Sequence, residues 1–275
     1  MAGKKMKKDE EKIQYLQDKA NDLRKKTLDL CLNGGSGHVT SCFSCAEIFS
    51  TLYYGDILKQ NPKDPEWDGR DRFVLSKGQA SPIMYVTLQD KGYFNKSWLD
   101  TFCKKDGKFG VHLQNDIPGV EITSGSLGHG LGIAAGMALA AKMDQKHYFT
   151  FALLGDGELY EGSNWESAMF ASHNRLNNLV AIVDRNGICA TNFTEDSVQL
   201  NPIDKKFQAF GWYTKNIDGH STKELLDALK DFRSEKRDGP YAIIADTVKG
   251  KGSPYIEDQP AWHSKTPEKP EDIKK

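Results

Sequence analysis

Apolar residues along this chain follow two rhythms. Near the amino terminus Ile13, Leu16, Ala20, Leu23, Thr27 and Leu30 recur every three or four positions, which makes one side of a helix apolar and predicts an amphipathic helix over residues 10–32. The run Asn33-Gly34-Gly35-Ser36-Gly37 stops it. Further on come short apolar runs: Phe73 to Leu75, Tyr148 to Leu154, Leu179 to Asp184, Trp212 to Ile217 and Tyr241 to Asp246. Three are nearly unbroken rather than alternating, as expected of parallel strands covered on both faces. Between them, residues 125–142 are rich in Gly and Ala, which allows close helix packing, and Ser221-Thr222-Lys223-Glu224 has the form of a capping box. The expected architecture is one doubly wound α/β domain, a mostly parallel sheet with helices on both faces and ligands at the carboxyl ends of its strands. No internal repeat is present. The expected boundaries are a disordered basic tail over 1–11, the domain over 12–265 and a flexible tail, rich in proline and charge, over 266–275.

Composition narrows the function classes. At 275 residues with 38% hydrophobic content, the chain can bury a sizeable core. Its net charge of −1 and pI near 6.7 give no electrostatic reason for a nucleic acid or an anionic membrane as partner. The basic start, Lys4, Lys5, Lys7 and Lys8, runs into Asp9, Glu10 and Glu11 instead of an apolar stretch, so it reads neither as a secretory signal nor as a transit peptide. No run reaches membrane-spanning length. Five cysteines, an odd number, fit a reducing cytoplasm better than a disulfide framework. Cys42-Phe43-Ser44-Cys45 has the spacing of a metal half-site but no second Cys or His pair, so buried free thiols are expected.

The chemistry concentrates at two strand ends. One apolar run ends in Gly155-Asp156-Gly157 and the next in Asp184-Arg185-Asn186. A carboxylate and a carboxamide on neighbouring strands offer oxygen ligands to a hard divalent cation that also grips a diphosphate. The stretch from Gly155 through Glu158, Glu161 and Ser163 to Asn164-Trp165-Glu166 resembles the thiamine diphosphate signature in the form carried by transketolases. Four further stretches resemble the same family in order: Ser36-Gly37-His38-Val39-Thr40-Ser41, Asp71 to Gly78, Ser124 to Gly130, and Lys249-Gly250-Lys251-Gly252 with Trp262-His263. Together they span roughly residues 12–265. The glycines at 125–130 lack the Gly-x-Gly-x-x-Gly order of a dinucleotide fold, which disfavours NAD.

The resemblance implies roles. Asp156 and Asn186 would bind Mg²⁺ through side-chain oxygens and Ile188 through its carbonyl. Thiamine diphosphate would be held by Ser41, Lys77, Gln79, Gly125, Ser126, Leu127, Gly157, Glu158, Asn186, Lys249 and His263, with Lys77 approaching the diphosphate as a cation. His38, His112 and His263 would surround the reacting carbons of a ketol donor, and Glu161 would face its counterpart across a dimer. His147, His173 and His220 read as surface or strand-end residues. The family implies a two-carbon ketol transfer from a ketose to an aldose. Nothing after Lys265 matches the family's pyrimidine-binding domain, so the chain resembles the amino-terminal half of a split transketolase, which implies a separate carboxy-terminal subunit and an expected α₂β₂ assembly. Gln79 stands where the family block ordinarily has histidine, which points to an altered donor, a modified sugar or an acetyl-type one. Two other readings stay open at this stage. One is a related thiamine enzyme, such as the α-type subunit of a 2-oxoacid dehydrogenase; the other is a non-catalytic scaffold paralogue.

Overall fold

The computed structural model describes residues 2–273. Helix α1 spans Ala2–Gly34, followed by α2 (Val39–Ser44) and α3 (Ala46–Tyr54). Strand β1 (Arg72–Leu75) leads to α4 (Ser81–Lys91), and a long connection reaches α5 (Gly130–Met143). Then come β2 (Thr150–Gly155), α6 (Gly162–His173), β3 (Leu179–Arg185) and the short helices α7 (Thr194–Ser197) and α8 (Ile203–Ala209). The domain closes with β4 (Tyr213–Asp218), α9 (Thr222–Ser234) and β5 (Tyr241–Asp246). All five strands are parallel, in the order β1-β2-β3-β5-β4.

Unbroken apolarity in the central strands has the predicted cause. Successive side chains point to opposite faces. Phe151, Leu153, Val180, Ile182 and Ile243 enter a core shared with α1, α3, α4 and α9. Their neighbours Ala152, Leu154, Ala181, Val183 and Ile244 enter a second core with α5, α6 and α8. Each buried large aliphatic or aromatic side chain is worth about 1.5–3 kcal/mol of transfer free energy.

Three local features stand beside the expectations. Residues 1–11, expected as a disordered basic tail, are described from Ala2 onward as the first turns of α1, with Met1 outside the described residues. Lysine, glutamate and methionine are good helix formers, and nothing between Lys4 and Leu32 breaks the helix. The tail after Lys265 is likewise fastened: Thr266 Oγ1 donates to Gly37 O at 2.9 Å, Ser253 Oγ donates to Ile273 O, and Ile273 is buried. Lys274 and Lys275 lie outside the described residues. Finally, the capping box is half formed. Ser221 Oγ accepts from Glu224 N at 3.2 Å, but the Glu224 carboxylate accepts from Asp218 N at 3.0 Å instead of reaching Ser221.

Candidate functional site

Parallel pairing aligns Gly155 of β2 with Asp184 of β3, so the residues that follow, Asp156 and Asn186, emerge side by side at the carboxyl edge of the sheet. Loops leaving β1 and β5 reach the same edge with Gln79 and Lys249. Gly78 lets the segment after β1 touch the connection that leads into α5: a Cβ there would lie 2.6 Å from Gly125 N, so only glycine fits. A cavity of about 570 Å³ results, lined by His38, Gln79, His112, Gly125, Leu127, Asp156, Gly157, Glu158, Asn186, Ile188, Lys249 and His263 among others. A hollow of about 820 Å³ between α1 and α4 is larger, but its charged lining mixes Lys26 and Lys96 with Asp29 and Asp100 and includes none of the predicted residues.

Of the predicted positions, Ser41, Lys77, Ser126 and Glu161 do not line the cavity. Lys77 is enclosed beneath it, donating to Ser41 O at 3.0 Å and paired with Asp184, which also accepts from Ser44 Oγ at 2.7 Å. Burial opposes both charges, but the pair outweighs it: Lys77 is held above and Asp184 below the ordinary value. The expected diphosphate cation is therefore engaged in an internal ion pair. Ser41 has a buried hydroxyl with no partner. Ser126 and Glu161 are exposed, Glu161 at the start of α6. Glu158 lines the cavity, yet its carboxylate serves the scaffold: it bonds Ser76 Oγ and accepts from the amides of Gly128 at 2.9 Å and Gly155 at 3.1 Å. Burial keeps its pKa raised.

The lysine that lines the cavity is Lys249. Its Nζ donates to Ile188 O at 3.2 Å and lies 2.7 Å from His263 Nδ1. Burial, then the neighbouring Lys77, pulls its pKa down to about 8. His263 is pushed down to about 4 by burial and Lys249, and His38 is lowered by burial, His112 and Lys249. The His38 ring sits 6.1 Å from that of His112 and 5.7 Å from that of His263. His38 and His263 are thus neutral near pH 7 and able to accept a proton from, or bond to, a hydroxyl in the cavity.

Asp156 is buried, and its carboxylate accepts from Gly157 N at 2.9 Å and Gly187 N at 2.6 Å. Burial and the nearby Asp184 outweigh these bonds and raise its pKa to about 6. Asp156, Asn186 and the Ile188 carbonyl form an all-oxygen donor set, the kind suited to a hard divalent cation. Only one of the three is an ionisable side chain. Consistent with that, the described residues contain no cluster of three or more His, Cys, Asp or Glu arranged for a metal. The Ile188 carbonyl already receives one cation, the Lys249 ammonium, and Ser41 Oγ and His38 Nδ1 are buried without partners. The site fits a divalent cation with an oxygen-rich anion.

Sequence reasoning missed one wall. Cys189, Ala190, Thr191, Ser197 and Val198, with Tyr160, close the side of the cavity beyond Ile188. The available signal was positional: this loop leaves the carboxyl end of a central parallel strand. The thiols Cys42 and Cys45 are free and buried, as expected. His220 lies at a strand end, but its side chain is only 13% exposed.

Fold and site together define an α/β domain with a polar cavity at the carboxyl edge of its parallel sheet. The chain belongs to the transketolase family: its thiamine diphosphate binding domain model matches residues 16–275. The chain is 35% identical to one subunit of the apulose-4-phosphate transketolase of Phocaeicola vulgatus, over 93% of this chain and 90% of that one. It is 39% identical to the 6-deoxy-6-sulfo-D-fructose transketolase subunit SqwG of a Clostridium species, over 90% of each. Human transketolase is 40% identical over 94% of this chain, which spans 41% of that protein. The crystal structure of Campylobacter jejuni transketolase superposes with a TM-score of 0.88 at 34% identity, covering 92% of this chain and 41% of that one.

Proposed function

We propose that this chain is the thiamine diphosphate-binding subunit of a two-component transketolase, moving a two-carbon ketol unit from a ketose to an aldose. The observation that carries the reading is the convergence of Asp156, Asn186, Lys249 and three histidines on one cavity in a chain whose relatives are named transketolase subunits. Asp156, Asn186 and the Ile188 carbonyl would hold Mg²⁺, and Gly157 gives the diphosphate room to approach the backbone. Lys249 supplies the positive charge that Lys77, paired with Asp184, does not. When bound, thiamine diphosphate supplies the carbanion chemistry. The chain's own residues orient and exchange protons: His38 and His263, neutral at pH 7, bond the donor's hydroxyls and take up a proton at a ring nitrogen, with His112 beside them.

A partner subunit would complete the site, in an α₂β₂ assembly. Support comes from exposed apolar residues on α5 and α6, Ile133, Met143, Met169 and Phe170, with Glu161 at the start of α6. Large apolar side chains left exposed on two neighbouring helices suit an interaction surface. Among the described residues no helix is long and apolar enough to cross a membrane, and the free thiols fit the cytoplasm.

The test titrates this chain with thiamine diphosphate, with and without Mg²⁺, then follows deuterium exchange at the cofactor C2. Binding is expected to require Mg²⁺, and exchange to accelerate only once a carboxy-terminal partner is present. Binding that ignores Mg²⁺, or its absence even with that partner, refutes the reading. Gln79 lines the cavity with no proton to trade at any relevant pH. Across a panel of ketose donors, Gln79→His is expected to shift the preference; an unchanged ranking removes Gln79 as a specificity residue.

A further inference from the structure

His220 sits in the turn between β4 and α9, and both of its ring nitrogens are engaged. Nδ1 lies 3.0 Å from Glu47 Oε2, and Nε2 lies 2.8 Å from the backbone nitrogen of Val248. The second contact fixes the ring's state. A backbone N–H only donates, so Nε2 must present its lone pair and the ring proton must reside on Nδ1, donating to the carboxylate. An imidazolium would set two donors against each other at Val248.

The anchor behind the ring is rigid. Glu47, buried on α3, also accepts from Arg24 at 2.5 Å and from Gln17 Nε2 at 2.9 Å. Arg24 is itself fixed by two bonds to Phe43 O, at 3.1 and 3.0 Å. Burial opposes the Glu47 charge, but His220 and Arg24 outweigh it and take the carboxyl down to about 2.

The ring's other side leads into the cavity. Val248 precedes Lys249, and the amide after Lys249, that of Gly250, donates to Thr40 O at 3.1 Å. The two amides flanking Lys249 are thus each tied, one to the His220 ring and one to α2. Lys249 carries its charge on a long side chain, so a small backbone rotation at Val248 becomes a large displacement at Nζ. We propose that His220, held by Glu47 as the neutral Nδ1–H tautomer, is a positioning residue that aims Lys249 into the cavity and thereby sets cofactor affinity. The link to the cofactor rests on the function proposed above; the clamp on Val248 does not.

The test compares His220→Phe, which keeps a ring and removes the acceptor, with His220→Gln, whose amide offers an oxygen to Val248 and an N–H to Glu47. Two quantities are read: hydrogen exchange at the Val248 amide of the chain alone, and thiamine diphosphate affinity at fixed Mg²⁺. In His220→Phe, Val248 exchange is expected to accelerate at least about tenfold. Its cofactor binding is expected to weaken roughly 10- to 100-fold, the scale of a misplaced charged group. His220→Gln restores both to within about threefold. Unchanged Val248 protection in His220→Phe overturns the proposal. So does faster exchange with unaltered affinity, or a glutamine variant no better than phenylalanine. Should His220→Phe not fold, the imidazole ¹⁵N spectrum of the wild-type chain decides: a protonated Nε2 overturns the clamp, and a bare, hydrogen-bonded Nε2 upholds it. If wild-type chain binds no thiamine diphosphate with or without a partner, the function falls while Val248 exchange still tests the clamp.

Discussion

Replacing Lys77 with methionine should weaken the fold more than the cofactor site. Lys77 and Asp184 are both fully enclosed. Methionine fills similar volume, so little cavity forms; what remains is a buried carboxylate stripped of its counter-charge. Breaking such a pair from one side costs about 3–5 kcal/mol. Asp184 keeps three donors, Ser44 Oγ at 2.7 Å, Thr247 Oγ1 and the weaker Asn186 Nδ2 at 3.4 Å, so the lower end applies, about 3 kcal/mol. With an unfolding entropy of about 2.1 cal/mol/K per residue, that lowers the Tm by roughly 5 °C. The assay is chemical denaturation of the cofactor-free chain followed by far-UV circular dichroism. Adding Asp184→Asn, which removes the stranded charge, should recover a large part of the loss. A loss under about 1 kcal/mol, or no recovery in the double variant, would refute the internal ion pair as the role of Lys77.

Two further outcomes follow from the site. Asp156 has a folded-state pKa near 6, above the ordinary carboxylate value, and a metal needs it ionised. Mg²⁺ affinity measured by calorimetry should fall as pH drops through about 6, by up to about tenfold per unit. The metal-free chain should show the opposite sign: a raised folded pKa stabilises at low pH and loses that contribution as pH rises through 6. A pH-independent affinity between 5 and 7 would exclude Asp156 as the proton-competing ligand. Gly78→Ala places a methyl 2.6 Å from Gly125 N, so two backbones must part. A stability loss of about 1–3 kcal/mol with weakened thiamine diphosphate binding is expected, and a neutral variant would show that the loops yield freely.

Much of the fold was legible because the strands announce themselves. Every expected strand exists, and the Asp156 and Asn186 positions follow from β2 and β3 being neighbours. What stayed hidden is pairing, because sequence shows charges but not which of them meet. Lys77 and Lys249 look alike as lysines in glycine-rich blocks, yet one is neutralised by Asp184, a residue 107 positions away, and the other lines the cavity. His220 and Glu47 are 173 positions apart, and no local pattern couples them. Glu158 stands among cavity residues in the motif, while its carboxylate bonds three separate segments of the scaffold. At the carboxy-terminal tail, the bond from Thr266 to Gly37 O and the burial of Ile273 are contacts that composition does not announce.

That single Glu158 carboxylate divides the cavity into a part that can vary and a part that cannot. The segments bearing Ser76 and Gly128 and the end of β2 at Gly155 share one fastener, so a change in any of them is transmitted to the other two. The wall from Cys189 to Val198 is outside that knot. Variation in what the cavity accepts is therefore cheapest along that wall, where a substitution alters shape without loosening the floor on which Asp156 and Gln79 stand.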